Sequence, residues 1–93
     1  MNSPGGAATQ VCSPQFDRRF FTLPPAVQLR IQSRIDALGQ NLRNFPHHRM
    51  QGVDAFRLRV GDFRIIYQFN LEKNELNLIA VGNRRDVYKT LLN

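Results

Sequence analysis

The dipeptide Gly61-Asp62 restricts the fold of this chain more than any other feature. It separates two stretches, residues 55–60 and 63–70, that are rich in aromatic and branched side chains and alternate in polarity. Two linking residues with Gly first suit a type II′ hairpin, because Gly takes a positive φ without steric cost. So short a turn dictates the register. Val60 falls opposite Phe63, Arg59 opposite Arg64, Leu58 opposite Ile65, Arg57 opposite Ile66 and Phe56 opposite Tyr67. Directly paired residues share a face and neighbours along a strand alternate. Phe56, Leu58, Val60, Phe63, Ile65, Tyr67 and Phe69 therefore form one apolar face, and Arg57, Arg59 and Arg64 share the other.

An apolar face of that size needs a cover, and the first half of the chain supplies one. Ser13-Pro14 reads as an N-cap followed by the first helical position, with Asp17 in the first turn. Phe16, Phe20 and Leu23 then recur at helical spacing. Pro24 and Pro25 end this helix and open a second, in which Val27, Ile31, Ile35, Leu38, Leu42 and Phe45 lie on one stripe. Pro46 is expected to stop it, and residues 47–54 to form a polar connection. A third strand over residues 76–81 completes an antiparallel meander, and a short strand through Val11 and Cys12 precedes the helices. The fold class is thus α+β: an N-terminal short strand and a helical hairpin packed on an antiparallel β-meander. Residues 1–9, small and rich in Gly and Pro, are expected to be a frayed tail or one added for expression, with a single domain over residues 10–93.

The basic residues outnumber the acidic by 13 to 7, giving a formal charge of +6, and 11 of the 13 are Arg. Arg presents a planar fork of donors that matches phosphate and stacks on bases, so the bias points to a polyanionic partner, with an acidic protein as the next choice. One cysteine excludes an internal disulfide and suits a reducing compartment; Cys12 reads as a small buried hydrophobe rather than a reactive thiol. With no long apolar run and no signal-like start, the chain is expected to be cytoplasmic.

Arg59 directly opposite Arg64 carries a penalty of up to about 1 kcal/mol, which an anion would relieve. The same pattern would also arise if the three arginines only solubilised the sheet, or if Asp54 and Asp62 neutralised them.

The strings Phe56-Arg-Leu-Arg-Val-Gly-Asp-Phe-Arg-Ile-Ile-Tyr67 and Val81-Gly-Asn-Arg-Arg-Asp-Val-Tyr88 resemble the RelE/ParE superfamily of bacterial toxin-antitoxin toxins. The likeness runs from Phe16 to Tyr88 in element order. It implies a RelE-like fold, a cognate antitoxin in a toxin-antitoxin hetero-oligomer, and, for RelE-type members, cleavage of mRNA in the ribosomal A site. By motif position it implies catalytic roles for Arg57, Arg59, Arg64, Arg84 and Tyr88. In that chemistry the RNA 2′-OH attacks the adjoining phosphate, so arginines would neutralise the phosphorane, Arg84 would face the leaving oxygen, and Tyr88 would stack on a base or orient the 2′-OH. RelE proper carries lysines where Arg57 and Arg59 stand. Arg does not deprotonate in proteins, so these two read as electrostatic stabilisers and the proton acceptor is missing.

His47 and His48 are candidates for that acceptor, although adjacent histidines at a helix exit are more often exposed loop residues. No Cys or carboxylate cluster accompanies them, and neither a metal nor another cofactor is expected. Arg18, Arg19, Arg30, Arg34 and Arg85 are candidates for contacts to RNA phosphates, or else part of a solvated surface. The expected function is a ribosome-dependent mRNA endonuclease. The alternative is a ParE-like toxin that inhibits DNA gyrase without cutting RNA.

Overall fold

The structure, a computed structural model, describes residues 6–87. Seven elements follow in the order β1 (Thr9–Cys12), α1 (Pro14–Phe20), α2 (Pro25–Gln40), β2 (His48–Arg49), β3 (Phe56–Val60), β4 (Phe63–Asn70) and β5 (Glu75–Asn83). The strands form one sheet in the order β1-β5-β4-β3-β2. The three-strand meander sits at its centre. The strand at each edge extends it: β1 runs parallel to β5, and β2 pairs antiparallel with β3.

The hairpin register is the one the two-residue turn requires, from Val60↔Phe63 through Arg59↔Arg64 to Phe56↔Tyr67. Gly61 has φ +58°, while Asp62 keeps a negative φ, as a type II′ turn demands. Both helices pack on one face of the sheet. Phe16, Phe20, Leu23, Ile31, Ile35, Leu38 and Leu42 meet Leu58, Val60, Ile65 and Tyr67 in a single core, with Phe56, Phe63 and Phe69 at its margin.

Between Ala80 and Leu78 the register of β5 against β4 shifts, so Ile79 is an extra residue. This bulge reverses the alternation of β5: Leu76 and Leu78 face the core before it, and Val81 does so after it. Ser13 fastens the bulge to α1. Its Oγ donates to the Ile79 carbonyl at 2.6 Å and accepts from the Phe16 N–H at 3.0 Å, while its own N–H donates to Leu78 O at 2.9 Å.

Several expectations need correction. Helix α2 ends at Gln40, not at Pro46. A turn over residues 41–45, closed by the Asn44 and Phe45 N–H groups donating to Asn41 O, still delivers Leu42 and Phe45 to the core. The stripe therefore continued beyond the helix because helical turns and the turn that follows bury the same side. Residues 47–54 are not merely a polar connection, since His48 and Arg49 make strand β2. Order also begins earlier than Gln10: Ala8 is buried and its N–H donates to Gly39 O at 2.9 Å, and Thr9 opens β1. Cys12 is exposed, because β1 is an edge strand; partial burial and the neighbouring Asp17 push its thiol pKa up.

His47 is half-buried rather than a free loop residue. It stacks on Phe69 with ring centroids 4.1 Å apart, and its Nε2 and Nδ1 lie 2.7 Å from Leu42 O and Tyr67 Oη. A carbonyl can only accept, so Nε2 carries a proton, and in that neutral tautomer Nδ1 accepts from the Tyr67 hydroxyl. Among the described residues no helix is long and apolar enough to cross a membrane.

Two stability tests follow. Ser13→Ala removes the α1 cap and the clip on the bulge, and should cost roughly 2 kcal/mol in urea unfolding, about one for each bond. Burial raises the Tyr67 pKa from 10 to about 12. The folded state then holds the phenolic proton more tightly than the unfolded chain, so this contribution is complete below pH 10 and is lost as pH rises from 10 to 12. Between pH 9 and 12 the wild type should lose on the order of 2–3 kcal/mol more stability than Tyr67→Phe, measured by denaturant titration at each pH.

Candidate phosphate-binding cleft

The sheet face away from the helices is not uniformly solvent-exposed. Ile66 and Ala80 on this face are covered by Met50, Ala55 and Val87, which form a second, smaller apolar cluster. Val87 arrives there because the chain folds back after β5. Its Cβ lies 3.6 Å from where a side chain on Gly82 would begin. Asn83 starts this reversal as a cap: its Oδ1 accepts from the Asp86 N–H at 3.0 Å, opening a helical turn over residues 84–87.

The reversal places Arg84 and Arg85 beside the hairpin. Together with Arg59 and Arg64 they line an open cleft of about 370 Å³, whose remaining wall is Gly61, Asp62 and Asn83. Arg64 lies at its centre in the sheet, with Arg59 opposite on one side and Gly82 on the other. Unlike the surface arginine expected from the alternation, Arg64 is only 7% exposed. Its flanks explain this: the fold-back over Gly82 and the hairpin turn enclose it.

Arg64 has a fixed geometry and no ion-pair partner among the described residues. One nitrogen, Nη1, donates to Gly61 O at 3.2 Å and to Phe63 O at 3.0 Å, and no other partner for its side chain is found among the described residues. The two carboxylates that could have neutralised this face do not. Asp54 pairs with Arg49 at 2.8 Å, and Asp62 is in no ion pair among the described residues. A largely buried guanidinium without a carboxylate is costly unless an anion completes it. Its Nη2 and Nε remain for that anion.

The other candidates divide by location. Arg57 is exposed on the same face but does not line the cleft; its cross-strand partner is His48 of β2. That register puts His48 on the arginine face, whereas His47 is committed to the core side. Arg30 reaches the hairpin from α2, its Nη2 2.9 Å from where a Gly61 side chain would begin. Arg19 pairs with Asp86 at 3.9 Å, tying the end of α1 to the turn that holds Arg84 and Arg85. Arg18 and Arg34 are exposed on the helices, outside the cleft lining. Tyr88 lies outside the described residues. No group of three or more His, Cys, Asp or Glu that could hold a metal ion occurs among the described residues.

Sequence reasoning missed Asn83 and Asp62 as parts of the site. The signal for Asn83 was its place directly before Arg84-Arg85, where an Asx residue caps a helical turn. Asp62 drew notice as a turn former and as a countercharge to the arginines, not as a site residue.

Such a domain, two helices on one side of a mixed sheet and an arginine cleft on the other, defines a small class of basic α+β proteins. The family model of the ParE toxin of the type II toxin-antitoxin system, parDE, matches residues 13–88, more than four fifths of the chain. The chain belongs to this family, within the RelE/ParE superfamily, and is a type II toxin. Its fold is that of solved RelE structures. The intact Escherichia coli RelBE toxin-antitoxin complex matches with a TM-score of 0.71 at 20% identity, covering 85% of this chain and 99% of that one. The RelBE complex of Mycobacterium tuberculosis gives 0.72 at 18% identity, covering 89% and 98%. The archaeal RelE-RelB complex of Pyrococcus horikoshii gives 0.68 at 22% identity, covering 85% and 97%. No curated protein sequence matches.

An anion that completes Arg64 should stabilise the fold. Inorganic phosphate at ten times its dissociation constant should add roughly 1.4 kcal/mol, about 5–10 °C in melting temperature for a domain of this size. Arg64→Gln should melt at the same temperature with and without phosphate.

Proposed function

We propose that this toxin is a ribosome-dependent mRNA endonuclease, acting in the cytoplasm and neutralised there by a cognate antitoxin. The observation that carries the reading is the Arg64 guanidinium, nearly buried and without a carboxylate, in a cleft shared with Arg59, Arg84 and Arg85. Four permanently charged forks around one small volume suit a phosphodiester whose charge grows during reaction.

In this reading the RNA 2′-OH attacks the adjoining phosphate and expels the 5′ oxygen. Arg64 and Arg59 hold the non-bridging oxygens, each donor contributing on the order of 3 kcal/mol as the phosphorane forms. Arg84 stands toward the leaving oxygen and Arg85 toward the next phosphate. Arg57, farther along the face, and Arg18, Arg19, Arg30 and Arg34 meet phosphates of the ribosome or of the flanking mRNA. Tyr88 keeps the stacking or orienting role that the resemblance gives it. The chemistry needs no cofactor, because nucleophile and leaving group both belong to the RNA. The similar RelE structures are complexes with RelB antitoxins, which supports a hetero-oligomer in which an antitoxin covers this basic surface.

Adding the protein to a translating extract should create new mRNA 5′ ends, mapped by primer extension. Arg64→Ala should reduce the cleavage rate by roughly 10²–10³ while ribosome co-sedimentation changes far less, because a contact made chiefly in the transition state is lost. Equal loss of both would make Arg64 a binding residue only.

A second reading has one specific support: the family model that matches is that of ParE, which favours a non-nuclease toxin directed at DNA gyrase. Gyrase supercoiling assays decide between the two. Inhibition at stoichiometric toxin, with no cleavage in the extract, would establish the second.

A further inference from the structure

Under the reading as an RNA endonuclease, on which this inference rests, the arginines leave one function unfilled, since none of them can accept the proton of the attacking 2′-OH. We propose that Asp62 is that acceptor. Among the described residues it is the only carboxylate lining the cleft, alongside Arg59, Arg64, Arg84 and Arg85.

Asp62 is both available and held in place. No ion pair or hydrogen bond engages its side chain among the described residues, so its oxygens lie more than a salt-bridge distance from every neighbouring guanidinium. Its backbone is fixed on both sides. Gly61 before it adopts φ +58°, and the Arg64 Nη1 donates to the carbonyls of Gly61 and Phe63, the residues that flank Asp62. The guanidinium that would hold the phosphate thus also anchors the turn that carries the carboxylate. A phosphate held by the free Nη2 and Nε of Arg64 would share this cleft with the Asp62 carboxylate. His48, the other candidate proton acceptor on this face, stands on β2 beside Arg57, outside that lining.

The step balances. The 2′-O–H proton passes to an Asp62 carboxylate oxygen as the 2′ oxygen bonds to phosphorus. The bond from phosphorus to the 5′ oxygen breaks, leaving a 2′,3′-cyclic phosphate, and the departing oxygen takes a proton from water. Asp62 then returns its proton to solvent.

Charge makes the test decisive. Deleting a negative charge from an arginine cleft strengthens phosphate binding, so a purely electrostatic role for Asp62 predicts that Asp62→Asn cuts as fast as wild type or faster. A proton acceptor predicts the opposite. In single-turnover cleavage of mRNA on purified ribosomes, Asp62→Asn should be slower by about 10²-fold or more, with ribosome co-sedimentation undiminished and melting temperature not lowered. Its residual rate should rise about tenfold per pH unit as hydroxide replaces the missing base, and Asp62→Glu should recover part of the loss. Cleavage by Asp62→Asn within about threefold of wild type would overturn the assignment while leaving the endonuclease reading intact; a wild-type protein that cuts nothing would overturn both. If His48→Gln instead produced the slow, pH-dependent phenotype, the acceptor would be His48 and the assignment to Asp62 would fail.

Discussion

The basic cleft depends on a backbone angle. With Gly61 at φ +58° the chain reverses in two residues, and that reversal sets Arg59 directly opposite Arg64. A turn longer by one residue would send every side chain of β4 to the other face, exposing Ile65 and Tyr67 and turning Arg64 toward the core. The juxtaposition of like charges is therefore a direct product of the same turn that builds the core. Arg64 repays part of the cost locally by bonding to the turn's own carbonyls, which makes the charge and the turn mutually supporting.

The second dependence is on the irregularity of β5. Were Ile79 paired in regular alternation instead of bulged out, Val81 and Gly82 would exchange faces, and the fold-back that carries Arg84 and Arg85 would begin on the helical side. Ser13 stabilises this defect while capping α1, so one hydroxyl couples the start of the helical layer to the strand that delivers half of the cleft. The small apolar cluster around Ile66 and Ala80 then holds Val87 down. The active-looking face thus has a hydrophobic foundation of its own, and the arginines rise around it.

Much of this was legible in the sequence because short-range rules govern it. The hairpin register, the II′ turn, the α1 cap at Ser13 and the buried stripe of α2 all follow from spacing and local sterics. What was hidden depends on distant partners. His48 and Arg49 have no strand signature of their own and pair only because β3 offers an open edge. Cys12 reads as apolar, yet the position of β1 at the sheet margin leaves it exposed. The burial of Arg64 cannot be inferred from alternation, since it requires the chain to return over Gly82. The bulge at Ile79 is likewise set by tertiary contacts, and with it the route by which Arg84 joins Arg59 and Arg64. The resemblance to RelE-type toxins named Arg59, Arg64 and Arg84, which line one cleft, and Arg57, which does not, without explaining what brings the three together.

The parallel pairing of β1 with β5 has a further consequence. Thr9 finds its partner at Glu75, and Cys12 at Leu78, so the first strand waits for nearly the whole chain before it can join the sheet. Contacts so distant in sequence form late, after the local hairpins. During synthesis β5 is also the last strand to emerge, and it lies between β1 and β4, with the cleft's second pair of arginines directly behind it. A nascent or truncated toxin consequently has neither a closed sheet nor an assembled cleft.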